Sequence, residues 1–220
     1  MSSTNSSRTL SEADSKALLV DFDVPFAPEV VAEDPQAAVE AAHQVGFPVV
    51  VKLNGDAIAH KTERGLVRLG LRDGAAVLEA AASLLGAATA ADGEVSLLVA
   101  PMIAGSRELI AGVARDPQFG PTVMIGIGGV LAEALADVAI RLVPISELDA
   151  AEMLDDLDAG AILDAFRGEP EVDRSALIAV LVGLSRAVVE HPEIVSADLN
   201  PLIICDGRPV AVDALVEVSA

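Results

Sequence analysis

The sequence predicts an α/β protein folded as two lobes, and three of its features carry that prediction. Of its 220 residues 52% are apolar, yet there is no Trp, no Tyr and only five Phe. The core must therefore be built from Ala, Val, Leu and Ile, which suits small helices packed on aliphatic strands. Helix start and stop signals alternate with β-branched runs along the chain, the order of a mixed fold. A composition shift at Thr89 to Gly93 and a new strand after it put a lobe boundary near Val99 to Gly105. The expected division is a tail at 1–9 and lobes at 10–98 and 99–220.

The first nine residues are polar and rich in Ser and Thr, and read as disordered. A first helix follows from about Leu10 to Val20, with Ser11 as N-cap and Asp14 three residues on in a capping-box arrangement. Asp34-Pro35 starts a second helix, with Pro at the first helical position and Gly46 past the end. Pro48 to Leu53 is a strand by virtue of Val49, Val50 and Val51, and the alternating Leu66 to Leu71 reads as its hairpin partner. Asp73 caps a third helix with Val77, Leu78, Ala81 and Leu85 on one face. Val95 to Met102, Glu108 to Val113 and Thr122 to Ile127 are further strands, the last two separated by a turn from Asp116 to Pro121. Helices resume between Ser146 and Phe166. A long amphipathic helix spans 173–189, with Leu177, Val180, Leu181, Leu184 and Val188 in its stripe. Two strands, Ile194 to Ile204 and Pro209 to Val216, close the chain around a turn at Asp206-Gly207.

Composition excludes several functions. A formal charge of −20 offers no basic face to a phosphate backbone, so nucleic acid is not an expected partner. The most apolar stretch, Ser175 to Val189, is interrupted by Arg186 and patterned as an amphipathic helix, so no membrane span is expected. The polar start lacks the apolar segment of a secretory signal. The single Cys205 fits a reducing cytoplasm, the expected location, and reads as a buried inert thiol after Ile203 and Ile204.

Against this acidity, Lys52, His60, Lys61 and Arg64 gather at the end of one apolar strand and in the loop after it. Positive charge concentrated against the global balance points to an anion as dense as a polyphosphate. A solvated loop suits Arg64 but not Lys52, which ends a run of valines. Asp198 and Asn200 stand two apart on a predicted strand and share a face, with Asp213 on the neighbouring strand. Two carboxylates and an amide oxygen suit Mg²⁺, although a polar strand end with Asn200-Pro201 opening a turn explains the same residues. Gly126-Ile127-Gly128-Gly129 lets a backbone approach an anion or simply turns the chain, and no Gly-Lys-Ser/Thr follows it. No Gly-x-Ser-x-Gly elbow exists, and His43 and His191 read as structural or solvent-facing. His60 lies in a cationic loop, where a neutral imidazole can attack a phosphoryl group or merely bind phosphate.

Taken in order, Leu10-Ser-Glu-Ala13, Gly46-Phe-Pro-Val-Val-Val-Lys52, His60-Lys61, Gly65, Arg68-Leu-Gly-Leu71 and Glu108-Leu-Ile110 form a recognisable series. Arg115-Asp-Pro-Gln-Phe-Gly-Pro121, Gly126-Ile-Gly-Gly129, Arg167-Gly168 and Asp198-Leu-Asn-Pro201 continue it. The series resembles the ATP-grasp subunit or domain of the NDP-forming acyl-CoA synthetases, relatives of succinyl-CoA synthetase, over residues 10–216. The resemblance implies a two-lobed ATP-grasp α/β fold with ATP or ADP clamped between the lobes. By resemblance, Lys52 contacts the nucleotide phosphates, Lys61 and Gly65 form a phosphate loop, and the backbone around Val99, Ala100 and Met102 meets the adenine. Glu108 then lies beside the nucleotide, and Asn200 and Asp213 hold Mg²⁺ with Asp198 close by. His60 matches the histidine implicated as a phosphohistidine relay between a partner subunit and ADP. The implied reaction converts acyl-CoA, ADP and phosphate reversibly to carboxylic acid, CoA and ATP.

Three departures stand out: Leu66 follows Gly65 where the family commonly has a second glycine, Thr62-Glu63-Arg64 adds a bulky cation to the loop, and Ala100 stands where a longer polar residue is often found. The CoA-binding and ligase regions of the family do not fit in this length, which implies an alpha partner subunit and, by resemblance, an α₂β₂ assembly. Two other functions use the same sequence features. A stand-alone ATP-grasp carboxylate ligase working through an acyl phosphate would need Lys52, Asn200 and Asp213 but not His60. A non-catalytic nucleotide-sensing module would need no chemistry at all.

Overall fold

The computed structural model of the protein describes residues 7–56, 58, 61–129, 136–165 and 168–219. Two compact units emerge, Arg8–Ser15 with Ala27–Met102, and Lys16–Phe26 with Ile103–Ala220. The division after Met102 falls past the end of a strand that a boundary at 98/99 would cut. A short strand β1 (Ser7–Thr9) and helix α1 (Glu12–Leu19) open the described chain. Part of the expected disordered tail is thus a strand, tied by the Ser7 hydroxyl to the Glu217 carboxylate.

In the smaller unit, β2 (Val30–Ala32), helix α2 (Pro35–Val45), β3 (Val49–Asn54), β4 (Val67–Leu71), helix α3 (Gly74–Ala87) and β5 (Ser96–Pro101) follow in order. The sheet is antiparallel, in the order β2-β5-β3-β4. Asp34 starts α2 as its side chain accepts from the Gln36 and Ala37 amides at 2.9 and 2.8 Å. Gly46 ends it with φ +90° and an N–H to the Ala42 carbonyl. Along β3, Val49, Val51 and Leu53 are fully buried and join Ala38, Ala42, Val77, Ala81 and Leu84 in one core. Successive side chains alternate, so Val50, Lys52 and Asn54 point to the face away from that core. The buried stripe of α3 is Val77, Ala80, Ala81 and Leu84, while Leu78 is exposed. It is therefore rotated by about one position from the expected stripe, because the small Ala80 allows closer packing than Leu78.

The larger unit is built on a sheet in the order β1-β11-β9-β6-β7-β8, with β10 also on β9. Its strands are β6 (Arg107–Asp116), β7 (Gly120–Ile127), β8 (Val138–Leu142), β9 (Ile194–Cys205), β10 (Arg208–Ala211) and β11 (Leu215–Ser219). Helix α4 (Glu147–Asp155) packs on β8, and α5 (Arg174–Glu190) packs on β6, β7 and β9. The expected stripe of α5 from Leu177 to Val188 is buried, and Gly183 admits the Phe22 carbonyl, which an alanine Cβ would meet at 1.8 Å. Strand β8 was not expected. The predicted final strand is two strands: β10 pairs with the end of β9, β11 with its start, and Val212 to Ala214 lies between. Cys205 is half-buried, not enclosed as expected, because it sits beside the β9–β10 turn. No helix among the described residues is long and apolar enough to cross a membrane.

Candidate functional site

Two half-sites carry the predicted residues, one in each unit. In the smaller unit, Lys52 points from β3 to the face opposite the helical core, where the start of α1 docks. The Ala13 amide donates to Asn54 Oδ1 at 3.2 Å and the Ser11 amide to Asp56 Oδ1 at 3.2 Å. Ser11 caps α1 by accepting from the Asp14 amide at 3.1 Å. The reciprocal half of the expected capping box is replaced, since the Ser11 amide goes to Asp56 and Asp14 meets the Ser11 hydroxyl instead.

This docking brings Glu12 over the lysines. Lys52 Nζ donates to Glu12 Oε1 at 2.6 Å and Lys61 Nζ to Glu12 Oε2 at 2.8 Å. All three are buried, with relative exposures of 8% for Lys52, 6% for Lys61 and 1% for Glu12. One carboxylate thus takes two ammonium groups in a place shielded from bulk water. In the sequence Glu12 stands inside the Leu10-Ser-Glu-Ala13 motif, but nothing there points to its partners. It looks like an ordinary acid in a first helical turn, and its partners lie 40 and 49 residues on.

From Lys61 the chain turns back towards β4. The Leu66 amide bonds the Lys61 carbonyl at 2.8 Å, the Gly65 amide bonds the Thr62 carbonyl at 3.1 Å, and Gly65 takes φ +66°, a conformation that favours glycine. Leu66 is 2% exposed and joins Leu53 and Ile58 in the core. The residue that departs from the family pattern is therefore the hydrophobic anchor of the turn. Arg64 leaves the expected cationic cluster, for its guanidinium is bidentate to Asp92 at 2.8 and 3.0 Å. That guanidinium, with the Thr89 amide and hydroxyl, holds the Asp92 carboxyl well below the usual range. His60 lies outside the described residues.

On β5, Val99 is fully buried and paired with both Val30 and Val51, so its side chain belongs to the core. Ala100 is half-buried and Met102 is 39% exposed. The Met102 amide already donates to the Pro48 carbonyl at 2.9 Å, so that donor is in use within the unit.

In the larger unit, Glu108 opens β6 beside the glycine-rich exit of β7. The Gly128 amide bonds the Glu108 carbonyl at 2.8 Å, and a Cβ at Gly128 would stand 3.0 Å from the Glu108 and Leu109 backbones. A Cβ at Gly129 would stand 3.1 Å from Glu108 Oε2. Close approach to Glu108 is what these glycines do. Nearby on the same sheet, β9 carries a bulge: Leu199 faces Ala111 and Leu202 faces Leu109, which leaves Asn200 and Pro201 both opposite Ile110. Alternation puts Asn200 on the side of Asp198, both exposed, and the extra residue returns Leu202 to the buried side of Leu199. Asp213 lies in the break between β10 and β11, which spans this bulge. Though Asp198 is open to solvent, the protein around its carboxyl displaces part of the hydrating water, which pushes it up from its ordinary value, and the negative charge of Asp213 adds to the shift.

Two repelling carboxylates and an amide oxygen are a donor set that a hard cation relieves, and Mg²⁺ fits it with positions left for water and phosphate. Among the described residues no three His, Cys, Asp or Glu side chains form a metal cage. Paired residues share a face, so Asp198 stands in a row with Gly112, Met124 and Ile140, opposite the side covered by α5.

Arg115 to Pro121, the most distinctive motif of the sequence, is structural. Arg115 donates to the Ile194 and Val188 carbonyls at 2.7 and 2.8 Å, and Asp116 Oδ1 accepts from the Gln118 and Phe119 amides at the β6–β7 turn. His43 and His191 pack edge-on against Phe47 and Phe22 as ring partners.

The sequence model of the ATP-grasp domain family matches residues 2–218. The ADP-forming acetate–CoA ligase I subunit beta of Pyrococcus furiosus is 35% identical over 210 residues, covering 94% of this chain and 90% of that protein. The dinucleotide-forming acetyl-coenzyme A synthetase 1 of Ca. Korarchaeum cryptofilum, solved with coenzyme A and Ca-AMPCP, superposes with a TM-score of 0.89 at 34% identity, covering 97% of this chain and 94% of that one. The same synthetase with coenzyme A and Mg-AMPPCP, its phosphohistidine segment pointing towards the nucleotide-binding site, gives a TM-score of 0.80 at 34% identity over 95% and 92% of the two chains. The fold, the ordered motifs and these likenesses together establish that the chain belongs to the ATP-grasp family, among the beta subunits of the ADP-forming acyl-CoA synthetases.

Proposed function

We propose that this chain binds Mg-ATP and Mg-ADP and passes a phosphoryl group between nucleotide and a CoA-binding alpha partner, on which acyl-CoA is made or cleaved. The observation that carries this reading is the buried Lys52–Glu12–Lys61 trio, which brings two lysines of an otherwise acidic chain side by side. Lys52 and Lys61 neutralise and orient the phosphates, which is most of what phosphoryl transfer asks of a protein. Asn200 and Asp213, with Asp198 beside them, would hold Mg²⁺, which would supply positive charge against the phosphates. Glu108, Ala100 and Met102 serve the rest of the nucleotide, and Gly65 lets the loop backbone turn.

His60 is the relay. A ring nitrogen forms the N–P bond to the γ-phosphorus of ATP as the β–γ bridging P–O bond breaks, and ADP leaves with that electron pair. The reverse step regenerates ATP. The test is transfer of label from γ-labelled ATP to the chain in the presence of its alpha partner. Acid-labile, base-stable label that is lost in His60→Ala supports the relay. A chain that binds nucleotide beside its partner yet takes no label would instead be a stand-alone ligase or a sensor.

A further inference from the structure

We infer that Arg64 is a positioning residue for the phosphoryl step, because its pairing with Asp92 fixes the turn that follows His60 and begins at Lys61. This rests on the reading of His60 as the relay. The turn from Lys61 to Leu66 is closed by two backbone hydrogen bonds and seated in the core by the Leu66 side chain. Arg68 Nη1 donates to the Gly65 carbonyl at 2.6 Å. Between these ends Thr62, Glu63, Arg64 and Gly65 are exposed, so the crest of the turn is not held by burial. It is tied to the unit by the Arg64 guanidinium, which bonds both oxygens of Asp92, 28 residues on, at 2.8 and 3.0 Å.

Asp92 is held in place for this contact. Its amide bonds the Thr89 carbonyl at 3.0 Å, and its Oδ2 accepts from the Thr89 amide and hydroxyl, both at 2.8 Å. This capping box closes the 3₁₀ turn Ala90–Asp92 and orients the carboxylate independently of Arg64. The Asp92 side chain is 3% exposed and that of Arg64 35%. An exposed ion pair fixes little, since two long side chains part easily in water. A two-point bond to a shielded and oriented carboxylate has one geometry. The bulky cation by which this loop departs from its family is therefore a strut. A histidine that takes up a phosphoryl group must meet the γ-phosphorus in line with the leaving oxygen, and a misplacement of about 1 Å can cost roughly a hundred-fold in rate. Binding is less exacting, because Lys61 is bonded to Glu12 and Lys52 sits on β3. Loss of the strut should therefore slow transfer far more than it weakens nucleotide binding.

The experiment compares the initial rate of label transfer from saturating γ-labelled Mg-ATP, beside the alpha partner, with calorimetric Mg-ATP affinity and Tm. Arg64→Gln should slow labelling at least about ten-fold while affinity stays within about three-fold. Asp92→Asn tests the strut from the other side. Its oxygen stays with Thr89, so its NH₂ meets the Arg64 guanidinium donor to donor. It should slow labelling by a similar factor, and the double variant should be no slower than either single one. Arg64→Lys keeps the charge without the fork and should fall between Arg64→Gln and wild type. It also serves as the test should Arg64→Gln not fold. A lowered Tm with labelling per folded chain unchanged, or losses that multiply in the double variant, overturns the assignment of Arg64 alone. Wild-type chain that binds Mg-ATP yet takes no label overturns the relay reading, and the role of Arg64 with it.

Discussion

Leu66 is the residue at which this chain leaves its family pattern, and truncating it tests whether the departure is a defect or a support. It is 2% exposed within a core that includes Leu53, Ile58 and Leu97. Its own amide closes the turn onto the Lys61 carbonyl, and its carbonyl receives the Leu53 amide at 3.0 Å. Leu66→Ala removes buried methyl and methylene groups at a place whose backbone is held on both sides, so little collapse can fill the gap. The expected cost is about 3 kcal/mol, within the roughly 2–5 kcal/mol of buried Leu→Ala changes. At an m-value of about 2 kcal/mol/M that is a drop of roughly 1–2 M in the urea midpoint. The chain has neither Trp nor Tyr, so far-UV circular dichroism is the probe. Mg-ATP affinity should fall as well, because the same turn begins at Lys61. A midpoint shift below roughly 0.5 M with an unchanged slope would show that Leu66 does not anchor the turn.

Three further outcomes follow from the same structure. The Asp92 carboxyl is lowered by Arg64 and Thr89, so its contribution is complete above the ordinary carboxylate pKa and fades as pH falls through the depressed folded value. Asp92→Asn should therefore cost stability at neutral pH and flatten the loss of stability below about pH 4, read as urea midpoint against pH. Gly128→Ala would press a Cβ within 3.0 Å of the Glu108 and Leu109 backbones, and should weaken nucleotide binding by displacing Glu108. A titration with affinity equal to wild type would remove Glu108 from the site. Asp213→Asn should make nucleotide binding nearly independent of added Mg²⁺, whereas an unchanged dependence on Mg²⁺ would place the metal elsewhere.

Local chemistry made much of the fold legible before any coordinates. Asp34-Pro35 and Gly46 mark both ends of α2 by themselves, and the five-residue stripe of α5 survives intact. What stayed hidden depends on residues distant in sequence. Glu12 is part of the Leu10-Ser-Glu-Ala13 motif, but its contact with Lys52, 40 residues on, is visible only once α1 docks. Arg64 reads as part of a cationic cluster until Asp92, 28 residues later, takes its guanidinium. Strand β8 escaped because Val138, Ile140 and Leu142 are exposed at the sheet edge, so its apolar side gives the reverse of the usual buried pattern. The break at Val212 to Ala214 has no signal of its own, because it answers the bulge at Asn200 on the strand beside it.

The central claim is that Lys52 and Lys61 serve the phosphates, and Asn200 and Asp213 the metal, of one bound nucleotide. Calorimetric titration of the wild-type chain, Lys52→Met and Asp213→Asn with ATP, in the presence and absence of Mg²⁺, tests it most directly. The account predicts one site in the wild-type chain, weakened at least about ten-fold by Lys52→Met and stripped of its Mg²⁺ dependence by Asp213→Asn. A wild-type chain that takes up no nucleotide, or two variants that bind as the wild type does, would contradict it.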